Sequence, residues 1–207
     1  MHQSARKTEL CLVANAAEGA AARLTAAVDG AHISTVFLTG GNASVLAPLV
    51  KLAQERGVAA LVVDDAKLAR ETGADGVHLS WSADIAGRYA AVRATLGGNA
   101  IVGAEAGTSR HDAMELGEAG ADYVAFTAGA GQLAADETQD RRAELVAWWS
   151  ELFEVACVAF DVTSLAEAEE LSDVRMPDEM DAGEVASKMC EFAAAAAGEA
   201  SVGEDVA

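Results

Sequence analysis

The feature that most constrains the fold is a regular alternation of short apolar runs with longer amphipathic stretches. β-like runs occupy residues 10–16, 33–39, 58–63, 76–80, 100–106, 122–128 and 155–162. The stretches between them carry apolar residues at helical spacing, and several end on glycine, as helices commonly do. Nearly continuous apolar strands separated by helices are typical of a parallel sheet buried on both faces. The sequence therefore predicts an α/β fold.

The number of strand–helix units favours a barrel over an open doubly wound sheet. We recognise about seven units, close to the eight of a TIM (β/α)8 barrel. The eighth strand is weak, because residues 173–180 are charged and include Pro177, which suits a central strand poorly. We predict a flexible N-terminus at 1–9, one TIM-barrel domain at 10–197, and an acidic disordered tail at 198–207.

Local patterns give more detailed expectations within this barrel. Ser109 is predicted to be the N-cap of the helix that follows it. Residues 129–142 are predicted to form a polar loop, followed by a helix that carries Trp148 and Trp149. One of these two indoles should face the sheet. The other could be exposed and anchor an interface, since exposed Trp residues are common interface anchors.

The charge and cysteine content limit the function and the compartment. The formal net charge is −19, and a surface this acidic repels nucleic acid and anionic lipid. Three cysteines lie far apart with no C-x-x-C pair, so reduced thiols are expected. The first residues lack the apolar core of a signal peptide, and no apolar run reaches the length of a membrane span. We therefore predict a cytoplasmic protein without nucleic-acid or membrane partners.

Two aspartates at the end of one strand and a histidine within the next raise the question of a site. Asp64 and Asp65 follow the third apolar run, and His78 lies in the fourth. One interpretation is local, because Asp65 can cap the following helix and a strand histidine usually packs in the core. The other interpretation is a metal or phosphate site on the rim of the barrel.

The segments LVVDDAKLARETGADGVHLS (61–80) and IVGAEAGTSRHDAMELGEAGADYVAF (101–126) resemble the thiamine-phosphate synthase family. The resemblance extends from about Leu61 to Phe126. It implies a TIM barrel and the condensation of hydroxymethylpyrimidine diphosphate with thiazole phosphate, a step in thiamine biosynthesis that releases diphosphate with the help of magnesium. It also implies that Asp65 and Asp84 hold Mg²⁺, although Asp84 could simply cap the next helix. Relatives often pair, so a homodimer is implied as well.

Several positions depart from the family pattern, and each departure removes a phosphate contact. The Gln-x-Arg-x-Lys pattern is replaced by residues 37–41, and the Lys-bearing loop by residues 127–132, which contain no lysine. Glu105 replaces a serine, and Asp161 stands where a Gly-Gly pair is expected. Like charges in a low-dielectric pocket are costly. The departures predict a degenerate diphosphate site with weak or no synthase activity.

The candidate pocket residues are Asp64, His78, Trp81, Glu105, Thr127 and Asp161. Glu105 and Asp161, with Asp65, could form an acidic cup for a cation or a cationic small molecule. Trp81 could stack on a ligand or fill the emptied pocket. Basic groups from elsewhere could still complete a diphosphate site, and the candidates are Lys67, Arg88, Arg141 and Arg142. An active synthase, a relative with altered chemistry and a non-catalytic regulatory or partner-binding protein are the alternatives.

Overall fold

The computed structural model describes residues 9–127, 135–160 and 173–175. In this part of the chain, strands and helices alternate as the apolar pattern predicts. The strands are β1 (Leu10–Asn15), β2 (Ile33–Thr39), β3 (Ala59–Val63), β4 (Gly76–Leu79), β5 (Ile101–Gly107), β6 (Tyr123–Phe126) and β7 (Ala156–Ala159). The helices are α1 (Ala20–Gly30), α2 (Ala43–Gln54), α3 (Ala66–Thr72), α4 (Ile85–Leu96), α5 (Arg110–Glu118) and α6 (Ala135–Leu152).

The seven strands form one parallel sheet in which sequence neighbours are spatial neighbours from β1 to β7. Each connection passes through a helix, as parallel neighbours require. A three-residue extended segment, Asp173–Arg175, pairs in parallel with β1 on its free side. It lies inside the range predicted for the weak eighth strand. The described residues thus establish an α/β fold with parallel strands arranged as in a TIM barrel.

The sheet is rolled, as contacts between distant strands demonstrate. The ring centroids of Phe37 in β2 and Phe160 just after β7 are 4.9 Å apart. These strands are five positions apart in the sheet, and adjacent strands are about 4.8 Å apart, so a flat sheet would separate them by about 24 Å. The two aromatic rings can meet only because the sheet curves and brings β2 close to the end of β7.

Alternation along each strand divides the buried residues into two layers. The larger layer lies between the sheet and the helices and includes Val36, Val62, Val102 and Val124. The smaller layer faces the inside of the rolled sheet and is formed by Cys11, Val13, Phe37, Leu61, Tyr123, Ala125 and Phe160. Strands buried on both faces explain why the apolar runs show no polar alternation. The few aromatic residues of the chain are concentrated in the inner layer and around α6.

Two local expectations are confirmed and one is partly wrong. Ser109 caps α5, since its hydroxyl accepts a hydrogen bond from Asp112 N. Trp149 is fully buried against the sheet, whereas Trp148 is only partly buried. The predicted loop at 129–142 is wrong for residues 135–142, because α6 begins at Ala135. That stretch is polar but rich in good helix formers such as Ala, Glu, Gln and Arg.

Several predictions concern residues outside the described ranges. The residues concerned are 1–8 at the N-terminus, 129–134 of the predicted loop, Asp161 and the predicted acidic tail at 198–207. Within the described ranges, the helices are all too short or too polar to cross a membrane.

Candidate functional site

The candidate site lies where β3, β4 and β5 end and their following loops begin. The structure brings together Asp64 after β3, His78 and Trp81 at and beyond the end of β4, and Glu105 near the end of β5. Thr127 lies just after β6, and its backbone N–H donates to the carbonyl of Gly107 in β5. The carboxyl ends of barrel strands carry the active sites of TIM-barrel enzymes, so this edge is the place to seek function.

His78 is the centre of a buried hydrogen-bond network that spans three strands. Its side chain is 1% exposed, with Nδ1 2.7 Å from the hydroxyl of Tyr123 and Nε2 3.3 Å from Glu105 Oε1. A carboxylate can only accept, so Nε2 is the donor in the contact with Glu105. The imidazole also packs against the rings of Phe37 and Phe160. It is therefore a core residue that holds a carboxylate in place at the rim.

Glu105 is fixed through both of its carboxylate oxygens. Oε1 faces His78, and Oε2 accepts from the backbone N–H of Trp81 at 3.0 Å. The side chain is 18% exposed, so part of the carboxylate reaches the mouth of the barrel. Each oxygen can accept a second hydrogen bond. Glu105 thus offers acceptor sites to a ligand from an orientation set by two strands.

Trp81 lies on the rim, and both roles suggested for it stay predictions. Its side chain is 52% exposed, its indole rests over Gly107, and its Nε1 donates to Asp112 at 3.2 Å. Trp81 follows the last residue of β4 by two positions, so the alternation that turns His78 inward does not apply to it. The interior is filled by the rings of His78, Phe37, Tyr123 and Phe160.

Asp64 connects the ends of β3 and β4 through an unusual backbone conformation. Its φ is 61°, a left-handed value that Asp tolerates better than most non-glycine residues. In this conformation its N–H donates to His78 O, and its Oδ1 accepts from Ser80 N at 2.9 Å. Arg88 in α4 completes the arrangement, with Nη2 2.6 Å from Asp64 Oδ1 and Nη1 3.0 Å from the Ser80 carbonyl.

The charge of Asp64 is stabilised by this arrangement. Burial by itself raises the pKa of Asp64, but hydrogen bonds from Ser80, the hydrogen bond from Arg88 and the Arg88 charge outweigh it. The pKa of Asp64 therefore lies below its ordinary value. A depressed carboxylate pKa contributes stability above the unfolded-state pKa, and this contribution is lost as the pH falls through the folded-state pKa.

Asp64→Asn tests this contribution, because asparagine tolerates the same φ and still accepts from Ser80 but carries no charge. At pH 7 we expect the variant to lose less than about 1 kcal/mol of unfolding free energy, since both ion-pair partners are about one-third exposed. The difference from wild type should begin to shrink below about pH 4, where the Asp64 carboxyl of the unfolded chain becomes protonated, and should disappear as the pH falls through the lower folded-state pKa. Urea unfolding between pH 7 and pH 3 measures it. A difference that grows on acidification would contradict the assignment.

Asp65 and Asp84 occupy capping positions at the two helices that follow β3 and β4. Asp65 Oδ1 accepts from Leu68 N at 2.8 Å and so caps α3. Asp84 precedes α4 without a side-chain cap bond, and its carboxylate lies close against Gly87. The metal roles implied for Asp65 and Asp84 stay predictions.

Asp64 is not available as a magnesium ligand in the described structure. Its carboxylate is already paired with Arg88. A metal ion beside it would meet the guanidinium, and like charges at close range repel. In addition, the described ranges bring together no three His, Cys, Asp or Glu side chains in an arrangement suited to a metal.

Of the four candidate basic residues, two approach the strand ends. Arg88 donates hydrogen bonds to Asp64 and Ser80. The buried Arg142 donates to the carbonyl of Phe160 at 2.5 Å. Arg141 instead pairs with Glu144 on its own helix, and Lys67 is exposed on α3. The two basic groups that come closest to the mouth are thus each engaged by oxygens of the protein.

Sequence reasoning missed Tyr123 and Ser80 as parts of the site. Tyr123 and Ala125 alternate along β6, which places both on the inner face with His78. That alternation could have indicated an inward Tyr123, but the hydrogen bond to His78 depends on the register of three strands. Ser80 acts mainly through its backbone, which residue type does not reveal.

Comparisons with known proteins agree with the resemblance in sequence. A profile of the family "Thiamine monophosphate synthase" matches residues 41–178, more than half of the chain. The thiamine-phosphate synthase of Hyphomonas neptunium is 43% identical over 122 residues, which cover 59% of this chain and 54% of that protein. That of Rhodospirillum centenum is 38% identical over 145 residues, covering 66% of this chain and 67% of that protein. The chain thus spans between about half and two-thirds of the length of these relatives.

Solved structures agree on the fold. A thiamine phosphate pyrophosphorylase from Pyrococcus furiosus superposes with a TM-score of 0.71 at 18% identity, covering 93% of this chain and 97% of that one. A tryptophan synthase from Mycobacterium tuberculosis superposes with a TM-score of 0.69 at 13% identity, covering 92% and 93%. At these identities the likeness is one of fold, which different functions share. The family profile and the curated relatives show the family as well as the fold. The chain belongs to the thiamine monophosphate synthase family.

Proposed function

We propose that this chain is a TIM-barrel member of the family with a degenerate diphosphate site, and that its synthase activity is weak or absent. The observation that supports this most is Glu105, which replaces the serine of the family pattern and is anchored by His78 and Trp81 N. An anchored carboxylate cannot turn away from a diphosphate as a flexible surface acid would.

Electrostatics supports the same proposal. Two unit negative charges 4 Å apart repel by about 1 kcal/mol in water and by about 4 kcal/mol in the partly buried surroundings of a protein surface. Glu105 would act in this way on a bound diphosphate. Of the four candidate basic residues, Arg88 and Arg142 approach the strand ends, and they already donate to Asp64, Ser80 and Phe160. The net charge of −19 adds long-range repulsion.

The mouth suits a ligand that donates hydrogen bonds or carries positive charge. Glu105 can accept further hydrogen bonds, and it is bonded to the backbone N–H of Trp81, whose indole is half-exposed on the same rim. A carboxylate next to an aromatic face is a favourable environment for a cationic nitrogen group. We include Asp161 and Asp65 in this acidic cup on the strength of their sequence positions. Thr127, at the end of β6, borders it.

The same proposal covers the eighth strand, the oligomeric state and the cellular compartment. The segment Asp173–Arg175 is part of an eighth strand that closes the barrel. The protein forms a homodimer, as relatives often do, and works in the cytoplasm. Light scattering coupled to gel filtration would test the dimer, and a mass equal to one 21.1 kDa chain would contradict it.

The second candidate function is an active thiamine-phosphate synthase. The identities of 38–43% to curated proteins of that name favour it. In an active enzyme, Asp65 and Asp84 would hold magnesium on the diphosphate, and a basic group from elsewhere in the chain would complete the site.

The deciding experiment is calorimetric titration with hydroxymethylpyrimidine diphosphate and Mg²⁺, followed by an assay for thiamine phosphate after thiazole phosphate is added. We expect no binding at millimolar ligand and no product from wild type. Glu105→Gln removes the charge but keeps the shape. It should raise diphosphate affinity by at least about tenfold, equivalent to 1.4 kcal/mol, and so make binding detectable at millimolar ligand.

Glu118→Gln is the matched control, since it removes the same charge from an exposed position on α5. It should leave diphosphate affinity unchanged. Product formation by wild type at a steady rate would overturn the proposal and establish the second candidate. An equal gain in both variants would mean that the net charge, and not the position of Glu105, excludes the diphosphate.

A further inference from the structure

We propose that the guanidinium of Arg88 is the resident cation at the ends of β3 and β4, where it occupies the oxygens of Asp64 and Ser80 that a divalent metal could otherwise bind. The protein would then carry a permanent positive charge at these strand ends and would need no magnesium there. Metal binding at these strand ends can be measured without the condensation reaction, so the failure of one proposal does not imply the failure of the other.

The geometry around Arg88 supports the proposal. The guanidinium donates to a carboxylate oxygen of Asp64 at 2.6 Å and to the backbone carbonyl of Ser80 at 3.0 Å. Carboxylate and carbonyl oxygens are the ligands that hard divalent cations take in proteins. Asp64 and Ser80 are also linked to each other, because Ser80 N donates to the same Asp64 oxygen. The guanidinium thus closes a ring of three residues from β3, the β4 end and α4.

The backbone of Asp64 is adapted to this ring. Its left-handed φ of 61° lets its own N–H reach His78 O while its side chain turns toward Ser80 and Arg88. The conformation is uncommon outside glycine, so it persists because the surrounding contacts hold it. Those contacts include the Arg88 ion pair. A metal ion could take over Asp64 only by displacing the guanidinium.

Arg88 is tethered close to the rim by its position in the chain. It is the fourth residue of α4, which begins at Ile85 directly beyond the β4 loop. Its side chain is 35% exposed, so solvent reaches the guanidinium but does not surround it. A planar guanidinium stays charged at every working pH and binds carboxylates with fixed geometry. It therefore acts as a permanent charge, whereas bound magnesium depends on its concentration.

The test uses Mn²⁺ as a paramagnetic probe of metal binding, with amide signals in ¹⁵N-labelled protein as the readout. In wild type, we expect Mn²⁺ to broaden the Asp64 and Ser80 signals no more than those of the exposed Glu118. In Arg88→Met, the carboxylate of Asp64 is released, and the apparent Mn²⁺ affinity at these two signals should rise at least tenfold. Adding Asp64→Asn to Arg88→Met should abolish the gain.

Arg70→Met is the matched control, because Arg70 is an exposed arginine on the neighbouring helix α3. It removes the same charge and should not change the broadening at Asp64 and Ser80. Arg88→Lys keeps a cation at the position and should resemble wild type. Selective broadening of Asp64 and Ser80 in wild type would overturn the proposal, even if Arg88→Met failed to fold. A folded Arg88→Met without any gain would overturn it too.

Discussion

Gly76→Ala is expected to destabilise the protein by about 3 kcal/mol or more, enough to unfold it under mild conditions. An ideal Cβ at Gly76 would overlap the carbonyl oxygen of Ile101, which is backbone and cannot rotate away. Gly76 and Ile101 are paired residues of β4 and β5. Relief of the overlap would separate the two strands at the point from which β4 carries His78 toward the rim.

Urea unfolding followed by circular dichroism measures the effect of Gly76→Ala. Gly98→Ala is the matched control, because a Cβ there meets no atom within 4 Å and the backbone is not left-handed. It should change the unfolding free energy by less than about 0.5 kcal/mol or stabilise slightly, since alanine restricts the unfolded chain. A Gly76→Ala protein within about 1 kcal/mol of wild type would contradict the strand spacing described above.

Trp149→Ala is expected to cost about 3–5 kcal/mol, as large buried aromatic truncations do. Trp149 is fully buried between α6 and the sheet, stacked on Phe153 at 4.0 Å and in edge contact with Phe126. Its Nε1 donates to Val155 O at 2.7 Å just before β7. The truncation would leave a cavity and an unsatisfied carbonyl at the same place.

Two companion variants separate the causes in Trp149→Ala. Trp149→Phe keeps most of the ring contact and loses the N–H donor, so it should cost about 1–3 kcal/mol. Trp81→Ala removes a tryptophan that is 52% exposed on the rim and should cost less than about 1 kcal/mol. Thermal and urea unfolding of the three variants would give the ranking. If Trp81→Ala were as damaging as Trp149→Ala, the burial of Trp149 would not be what stabilises α6 on the sheet.

The periodicity of apolar residues and the sequence motifs predicted most of the fold. The apolar runs predicted β1 to β7 to within a few residues, because strands buried on both faces must be apolar throughout. The start of α6 was missed at 135–142, since polarity was taken as a sign of a loop although helix formers dominate there. Asp65 was correctly placed as a helix cap, because capping depends only on neighbouring residues.

The sequence predicted which residues lie at the candidate site better than it predicted the contacts between them. Asp64, His78 and Glu105 were identified as rim or strand-end residues, and the structure joins them through backbone and side-chain hydrogen bonds. The filling of the interior by Phe37 and Phe160 was not predicted. Those two rings meet through the curvature of the whole sheet, which no local pattern reports.

The sequence by itself determined the alternating α/β architecture, the family and the acidic character of the rim, because each follows from residue types and short spacings. Only the tertiary structure decided which acidic side chains form hydrogen bonds or ion pairs with distant residues. Arg88 reaches Asp64 across 24 positions, and His78 reaches Tyr123 across 45. The His78–Tyr123 pair depends on strand register, since a one-residue shift would turn each side chain to the opposite face. The Arg88–Asp64 pair depends on how α4 packs beside the end of β3.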